Sequence, residues 1–404
     1  MVARPESSTP AGTRPEPEPI GEALALSERL RDRIRAAIDA GGGFLPFSRY
    51  MEMALYEPGL GYYVNGLRKL GADGDFVTAP ELSPLFGATL AQWLGPVLDG
   101  TRCEILEFGA GSGRLAADVI QRLDDLGVRL ERYRILEVSP DLRAQQQSLL
   151  AARLGSERMV RVEWLDRLPA EPLNGVVLAN EVLDAMPVEV FAWREGRVLQ
   201  RGVVAQDAAT GLSFAERPAP QWLDRAVREL ERQVGPWPEG YVSELRPAVQ
   251  PWLRTVADLL ADGLVWIGDY GYPRREFYAA ERDAGTLVGY YRQQLVLEPF
   301  AWPGLMDLTA SVDFTAVAEA AHSADLDVLA YAAQGEFLLG AGLPALFEQS
   351  VAGNDDPRHI MQLAQQVRML TLPGEMGERF QVMVLGRRCD LPSAGSFPDR
   401  RERL

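Results

Sequence analysis

A chain of 404 residues, 47% hydrophobic and 24% charged, has roughly the length of two to three domains, or of one large α/β core with insertions. Its formal net charge of -16 argues against a nucleic-acid phosphate backbone as partner and leaves small molecules or polypeptides, basic ones above all. Cys103, Cys389, His322 and His359 are too few and too scattered for a disulfide framework or a metal site, and no apolar run is long enough to span a membrane.

The first 20 residues hold five prolines and no apolar h-region, so residues 1–23 read as a disordered extension and not as a signal or transit peptide. A reducing cytoplasm is the expected location. Lys69 is the only lysine in a chain rich in Ala, Gly, Arg and Pro, a bias that points to a GC-rich bacterial genome. Leu24 to Ile38 has helical spacing and stops at Gly41-Gly42-Gly43. An aromatic, glycine-rich segment follows from Tyr50 to Pro80. Ser83 then reads as an N-cap with Pro84 at the first helical position, and Leu85 to Leu94 as a helix.

Glu107-Phe108-Gly109-Ala110-Gly111-Ser112-Gly113-Arg114 comes next, between the apolar run Cys103 to Leu106 and the helical run Ala117 to Leu126. The glycines therefore sit on a strand-to-helix turn, which brings bare backbone against a nucleotide-like ligand. Two cofactor classes use such a turn. A dinucleotide lays its pyrophosphate over the helix N-terminus, and Glu107 would oppose that charge. S-adenosylmethionine brings an ammonium and a sulfonium, which a carboxylate at the strand end complements. Gly111, Gly113 and Ala116 still fit the lenient dinucleotide spacing, so the favoured S-adenosylmethionine is not chosen by spacing alone.

Beyond the turn the pattern alternates strand and helix, as for a parallel sheet. Strands are expected at Arg134 to Val138, Val160 to Trp164, Gly175 to Ala179 and Leu264 to Gly268, with a hairpin or extended excursion at Phe191 to Val204. Helices are expected at Gln221 to Gln233, Pro247 to Asp262 and Thr315 to His322, and a loop-rich insertion from Arg274 to Asp313. Leu326 to Ala332 and Arg379 to Leu385 close the sheet as an antiparallel pair around a helical arm, and the residues after Asp390 read as a tail. The expected fold is a doubly wound α/β sheet of seven mostly parallel strands, with ligands at the carboxyl ends of the strands. It carries an N-terminal helical extension over residues 24–100, and helical or loop lid segments inserted at about 190–260 and 274–370.

Candidate site residues lie at those strand ends. Glu137, ending the second strand, can accept both ribose hydroxyls of an adenosine; the alternative is a charge complementing a helix N-terminus. Asp166 suits the adenine amino group or a turn cap. Asn180 is expected to face the cofactor and to cap one helical turn ended by Pro187, with Glu181 and Asp184 sharing its face. Carboxylates there suit a guanidinium acceptor, whose pKa above about 12 leaves it little nucleophilic character until it is oriented and its charge localised; structural capping is the plainer reading. Asp269 can pair with a cationic substrate and Tyr270 can form a wall or accept a proton. Residues 285–292 and 307–314 are candidates by loop position alone.

Together, Tyr56-Glu57-Pro58-Gly59-Leu60-Gly61-Tyr62-Tyr63, Gly74 to Ser83, the Glu107 to Leu115 turn, Ala179-Asn180-Glu181 with Asp184-Ala185-Met186-Pro187, Asp269-Tyr270-Gly271, Asp307-Leu308-Thr309 and Met376 to Phe380 resemble one family. It is that of the mitochondrial complex I assembly-factor protein arginine methyltransferases and their bacterial relatives, sometimes called MidA. The resemblance runs from about Phe44 to Leu385. It implies a class I methyltransferase fold, S-adenosyl-L-methionine as cofactor, and transfer to an arginine of a partner protein. It also implies that Thr78, Pro80, Glu81 and Ser83 fold over the cofactor, with Glu107, Gly109, Gly111 and Gly113 beneath it. Tyr291 to Leu295 and Ser311 depart from the family pattern, which keeps a small-molecule or peptide acceptor open. A non-catalytic assembly protein retaining the fold, and a homodimer, also stay open.

Overall fold

The computed structural model describes residues 18–67, 78–100, 103–206, 211–353, 356–392 and 396–404. The expected disordered extension lies outside the described residues up to position 17, as do Gly74 to Val77. The chain opens with α1 (Glu22–Ala40), a two-residue strand β1 (Leu45–Pro46), α2 (Phe47–Tyr56), a 3-10 turn at Tyr62–Val64, the short α3 (Ala79–Leu82) and α4 (Pro84–Gly100). The doubly wound unit then begins: β2 (Glu104–Phe108), α5 (Arg114–Asp125), β3 (Arg132–Leu136), α6 (Pro140–Met159), β4 (Val162–Leu165) and β5 (Leu173–Asn180). An antiparallel excursion follows, β6 (Glu189–Arg194), β7 (Arg197–Ala205), β8 (Leu212–Pro218), α7 (Gln221–Val234) and β9 (Val242–Leu245). The chain returns through α8 (Val249–Leu259) to β10 (Leu260–Tyr272), then α9 (Arg274–Phe277), β11 (Val288–Tyr291), β12 (Gln294–Val296), β13 (Asp307–Thr309), β14 (Val312–Asp313) and α10 (Phe314–His322). It continues with β15 (Asp327–Ala333), four helices α11 (Gln334–Gly340), α12 (Leu343–Val351), α13 (Pro357–Thr371) and α14 (Met376–Arg379), and β16 (Phe380–Arg387), and the expected tail holds a last 3-10 turn at Arg401–Arg403, where Arg400 N donates to Tyr331 O on β15 at 2.7 Å.

The main sheet has the order β15-β16-β10-β5-β2-β3-β4, with β14 added beside the end of β10. Neighbours are parallel from β10 to β4, and β16 runs antiparallel to both β10 and β15. This is the seven-stranded, mostly parallel arrangement that the strand–helix alternation anticipates. Alternation along each strand explains why the sheet is covered twice. Ile105, Val176, Leu178 and Trp266 pack towards α4 and α5, while Leu106, Val177, Ala179 and Ile267 pack towards α8 and α10. Burial on both faces gives the near-continuous apolar runs that mark parallel strands.

Several boundaries differ from expectation for physical reasons. The helix after Ser83 does not stop at Leu94 but runs over Pro96 to Gly100, because Leu94 and Leu98 are fully buried and this packing outweighs the roughly 3 kcal/mol that an interior proline costs. The third strand begins at Val162 and not Val160, since α6 continues to Met159. The second ends at Leu136, so Glu137 lies just beyond it. No helical turn follows Asn180: Glu181 takes a left-handed φ of 53°, and the N–H groups of Leu183 and Asp184 donate to the Asp269 carboxylate instead of to helical carbonyls. The fifth strand is thirteen residues long and contains Asp269 and Tyr270, because pairing of Gly271 and Tyr272 with β14 extends it. The inserted segments hold the helices α7 to α13 and, where loop is expected, short antiparallel strands as well. They form a sheet β1-β7-β6-β9 with β8 on β7, and a second sheet β12-β11-β13. Both pack with α1 and α2 around Tyr50, Phe300 and Leu308.

Candidate functional site

A cleft of about 260 Å³ opens at the carboxyl ends of β2, β3, β5 and β10. Its floor is the glycine turn. Gly109 and Gly111 have φ of 61° and 53°, the left-handed region that glycine tolerates without steric cost, and both line the cleft. A Cβ on Gly109 would meet only Val182 Cγ2, at 3.8 Å, so the backbone is bare on that side. Gly113 does not reach the cleft. It is the N-cap of α5 with φ 88°, where a Cβ would press on Gln146 at 3.4 Å.

Glu137 lines the cleft just past β3. Its carboxylate accepts from the Ser139 backbone N–H and from Gln146 Nε2, both at 2.9 Å, which fixes its direction. Glu107 is not among the lining residues: strand alternation turns it to the face shared with Ile105, where it is buried and accepts from the Tyr133 hydroxyl at 2.8 Å. Burial raises its pKa to about 8, the Tyr133 bond opposing and the Glu137 charge adding. Asp166 stays at the surface, paired with Arg143 outside the cleft.

Of the segment expected to cover the site, Thr78 lines the cleft. Pro80 is the second residue of α3, and Ser83 is buried just past it, its Oγ accepting from Leu85 N at 3.3 Å. Glu81 bonds Ser112 in the glycine turn and Arg114 on α5 (3.0 Å), clasping α3 to the turn.

The wall opposite is acidic and aromatic. Glu181, Asp184 and Asp307 line it with Tyr56, Tyr63, Tyr270 and Tyr290, and among the described lining residues there is no lysine, arginine or histidine. Asn180 ends β5 outside the lining and donates to Glu181 Oε1 at 3.1 Å; the Ala79 backbone N–H also reaches that carboxylate. Burial lifts Glu181 to a pKa of about 8, helped by Asp184 and opposed by the Asn180 and Ala79 bonds. Asp184 is also shifted upward by burial, against the pull of Arg246. Asp269 does not enter the cleft: it is fully buried beneath, and its Oδ2 accepts from Leu183 N and Asp184 N at 2.9 and 3.2 Å while Oδ1 accepts from Tyr270 N. It holds the loop that carries Glu181 and Asp184. The buried Tyr270 hydroxyl lies against the Asp184 carboxylate and the buried Thr309 hydroxyl against Tyr270, neither in well-formed hydrogen-bond geometry.

Sequence reasoning missed part of this wall. Tyr63 donates to Asp307 Oδ1 at 2.9 Å and stacks on Tyr56, whose hydroxyl donates to Ala185 O at 3.0 Å. The closely spaced tyrosines of residues 56–63 were the available signal. Arg246 was invisible: its guanidinium donates to four backbone carbonyls, Ala310 (2.7 Å), Ser311 (2.9 Å), Met186 (3.2 Å) and Asp184 (3.3 Å), and so ties two loops of the site together. Bare glycine backbone, an oriented carboxylate at Glu137 and a wall of carboxylates and tyrosines can receive a ligand with hydroxyls at one end and a cation at the other.

The model of a family described as S-adenosyl-L-methionine-dependent methyltransferases matches residues 89–332. A crystal structure of a COG1565 superfamily member from Burkholderia thailandensis bound to S-adenosyl-homocysteine is 41% identical, covers 96% of this chain and all of its own, and has a TM-score of 0.87. Among curated relatives, the mitochondrial protein arginine methyltransferase NDUFAF7 of Rattus norvegicus is 28% identical over 85% of this chain and 81% of its own length. That of Danio rerio is 29% identical over 84% and 82%. The mitochondrial names of these relatives overturn the cytoplasmic location expected from the sequence.

Proposed function

The chain belongs to the family of S-adenosyl-L-methionine-dependent methyltransferases, and from that premise we propose that it N-methylates an arginine side chain of a partner protein. The observation that carries the acceptor is the group Glu181, Asp184 and Asp307, three carboxylates in a tyrosine-lined cleft without a basic residue among its described lining. The relatives named protein arginine methyltransferases support the same acceptor.

When bound, S-adenosylmethionine supplies a methyl group on a sulfonium, open to attack by a nucleophile. In this reading Gly109 and Gly111 leave room for its backbone-hugging part, Glu137 receives the ribose hydroxyls, and Thr78 covers it. Glu181 and Asp184 bind the guanidinium, orient one nitrogen and localise the positive charge on the others, which is how a weak nucleophile is made to react. Burial pushes both carboxyls upward, and a cation between them favours both ionised forms. The tyrosine walls exclude water, which strengthens these contacts. Asp269 and Asn180 position the carboxylates without touching the acceptor.

The test is incubation of the chain with isotopically labelled methyl donor and protein or peptide acceptors, followed by mass spectrometry. Label on arginine nitrogens is expected. Label on another atom, or none while S-adenosyl-homocysteine binds, would overturn the acceptor.

A further inference from the structure

The small sheet β12-β11-β13 contributes Tyr290, Asp307 and Thr309 to the cleft, and its register fixes which side chains share a face. Tyr290 on β11 lies directly opposite Asp307 on β13 and opposite Leu295 on β12. Val288 is opposite Thr309. Directly paired residues project from one side of an antiparallel sheet. Asp307, Thr309 and Tyr290 line the cleft, so Leu295 continues that same face outward. The opposite face carries Tyr291 and Val296, both buried in the core around α2. From cleft to rim the face therefore runs carboxylate, tyrosine, leucine, over two strand spacings of about 10 Å in all.

At the rim, Leu295 is 49% exposed and Leu297, two residues on, 79% exposed. The edge strand bares Leu295, a liability that soluble proteins normally blunt with charge, and Leu297 follows just past the strand's end at Val296. Here it is continuous with a cation-seeking site.

We propose that the β11–β12 face is the docking floor for the acceptor polypeptide, which presents an arginine flanked by apolar side chains. The flanks rest on Leu295 and Leu297 while the arginine reaches back over Tyr290 to Asp307. Charge complementarity selects this occupant: the Asp307 carboxylate stands at the inner end of the face and the Leu295 side chain at its outer end, with Arg379 the one cation among the described residues whose charge reaches Tyr290 between them, the mirror of a cationic side chain beside an apolar neighbour. The inference rests on the arginine reading and adds the sequence context that the acceptor must have.

Two peptides of equal charge, one centred on Leu-Arg-Val and one on Ser-Arg-Ser, serve as probes, with the full chain saturated with S-adenosyl-homocysteine. Calorimetry should show the apolar-flanked peptide binding about tenfold tighter, in line with partial burial of two leucine-sized groups. Leu295→Asp with Leu297→Asp should reduce it to the level of the other peptide and leave S-adenosyl-homocysteine affinity unchanged, the sign that the fold is intact. Leu295→Ser with Leu297→Ser should fall between. Equal binding of the two peptides, binding of neither, or a preference that survives the double variant overturns the proposal. A third peptide with glutamine for arginine separates the two claims. Should it bind as well as its parent while no label enters arginine, the floor stands and the arginine acceptor falls. Should label enter both arginine peptides with equal efficiency, the acceptor stands and the floor falls.

Discussion

Replacing Arg246 by methionine keeps most of the side-chain volume and removes every donor. Four carbonyls lose the guanidinium, and Asp184 O keeps a second partner, the Ala310 N–H at 3.3 Å. Hydrogen bonds to a charged group are worth about 1.5–3 kcal/mol each. The two short bonds, to Ala310 and Ser311, should dominate, and because the guanidinium is half-buried, water can replace part of what is lost; a net destabilisation of about 2–4 kcal/mol is expected. Chemistry should suffer separately. The Asp184 to Met186 loop and the Ala310-Ser311 loop would lose their common anchor, and Asp184 would lose the positive charge that opposes its burial. Its pKa then rises further, so at a given pH less of it is ionised and able to hold a guanidinium. The acid limb of kcat/KM should therefore move to higher pH, with the deficit larger at pH 6 than at pH 9. Arg246→Lys restores the charge but not the four-way reach, so it should recover the position of the limb and not the stability. Denaturant unfolding, S-adenosyl-homocysteine calorimetry and pH-rate profiles read these out. An Arg246→Met variant with the parent's unfolding midpoint and an unshifted limb would refute the reasoning.

Further outcomes follow from the same geometry. Glu181→Gln should lower kcat/KM at least about 100-fold, the cost of leaving a buried cation half-paired, while S-adenosyl-homocysteine affinity changes less than about threefold; turnover within about fivefold of the parent would remove Glu181 from the acceptor site. With Glu181 raised to about 8, kcat/KM should climb until roughly pH 8, because only the ionised carboxylate pairs with the acceptor. In kcat the bound guanidinium stabilises that ionised form, so its limb should lie at lower pH; coincident limbs would contradict the pairing. Gly111→Val puts a branched side chain at φ 53°, which costs about 1–2 kcal/mol in strain, and crowds the cleft. Calorimetry should show at least about a tenfold loss of S-adenosyl-homocysteine affinity, and unchanged affinity would place the cofactor elsewhere.

What could be read in the sequence was what local physics dictates. β2, β5 and β10 are covered on both faces, so Ile105-Leu106, Val176-Val177 and Trp266-Ile267 announce themselves as apolar runs, and the three glycines mark their own turn. The segment after Asn180 misled because capping residues suggested a helix, whereas Asp269, 86 residues beyond Leu183, claims the N–H groups that a helix would use. β9 is only Val242-Ser243-Glu244-Leu245, too short to show a period. Tyr290, Asp307 and Thr309 come from strands of three or four residues in what reads as loop, and only their pairing brings them to one face. Arg246 works through backbone carbonyls, which leave no trace in the residues it binds.

Part of the acidic wall comes from one late stretch of chain. The glycine turn, Glu137 and Thr78 lie before residue 140, as do Tyr56 and Tyr63 of the wall, and Glu181 and Asp184 lie midway, whereas Tyr270, Tyr290, Asp307 and Thr309 follow within about forty residues of one another much later. Under the assignments proposed above, substitutions in that later stretch could retune which polypeptide is modified while donor recognition stays untouched. Lineages sharing this scaffold would then diverge in clientele long before they diverge in chemistry.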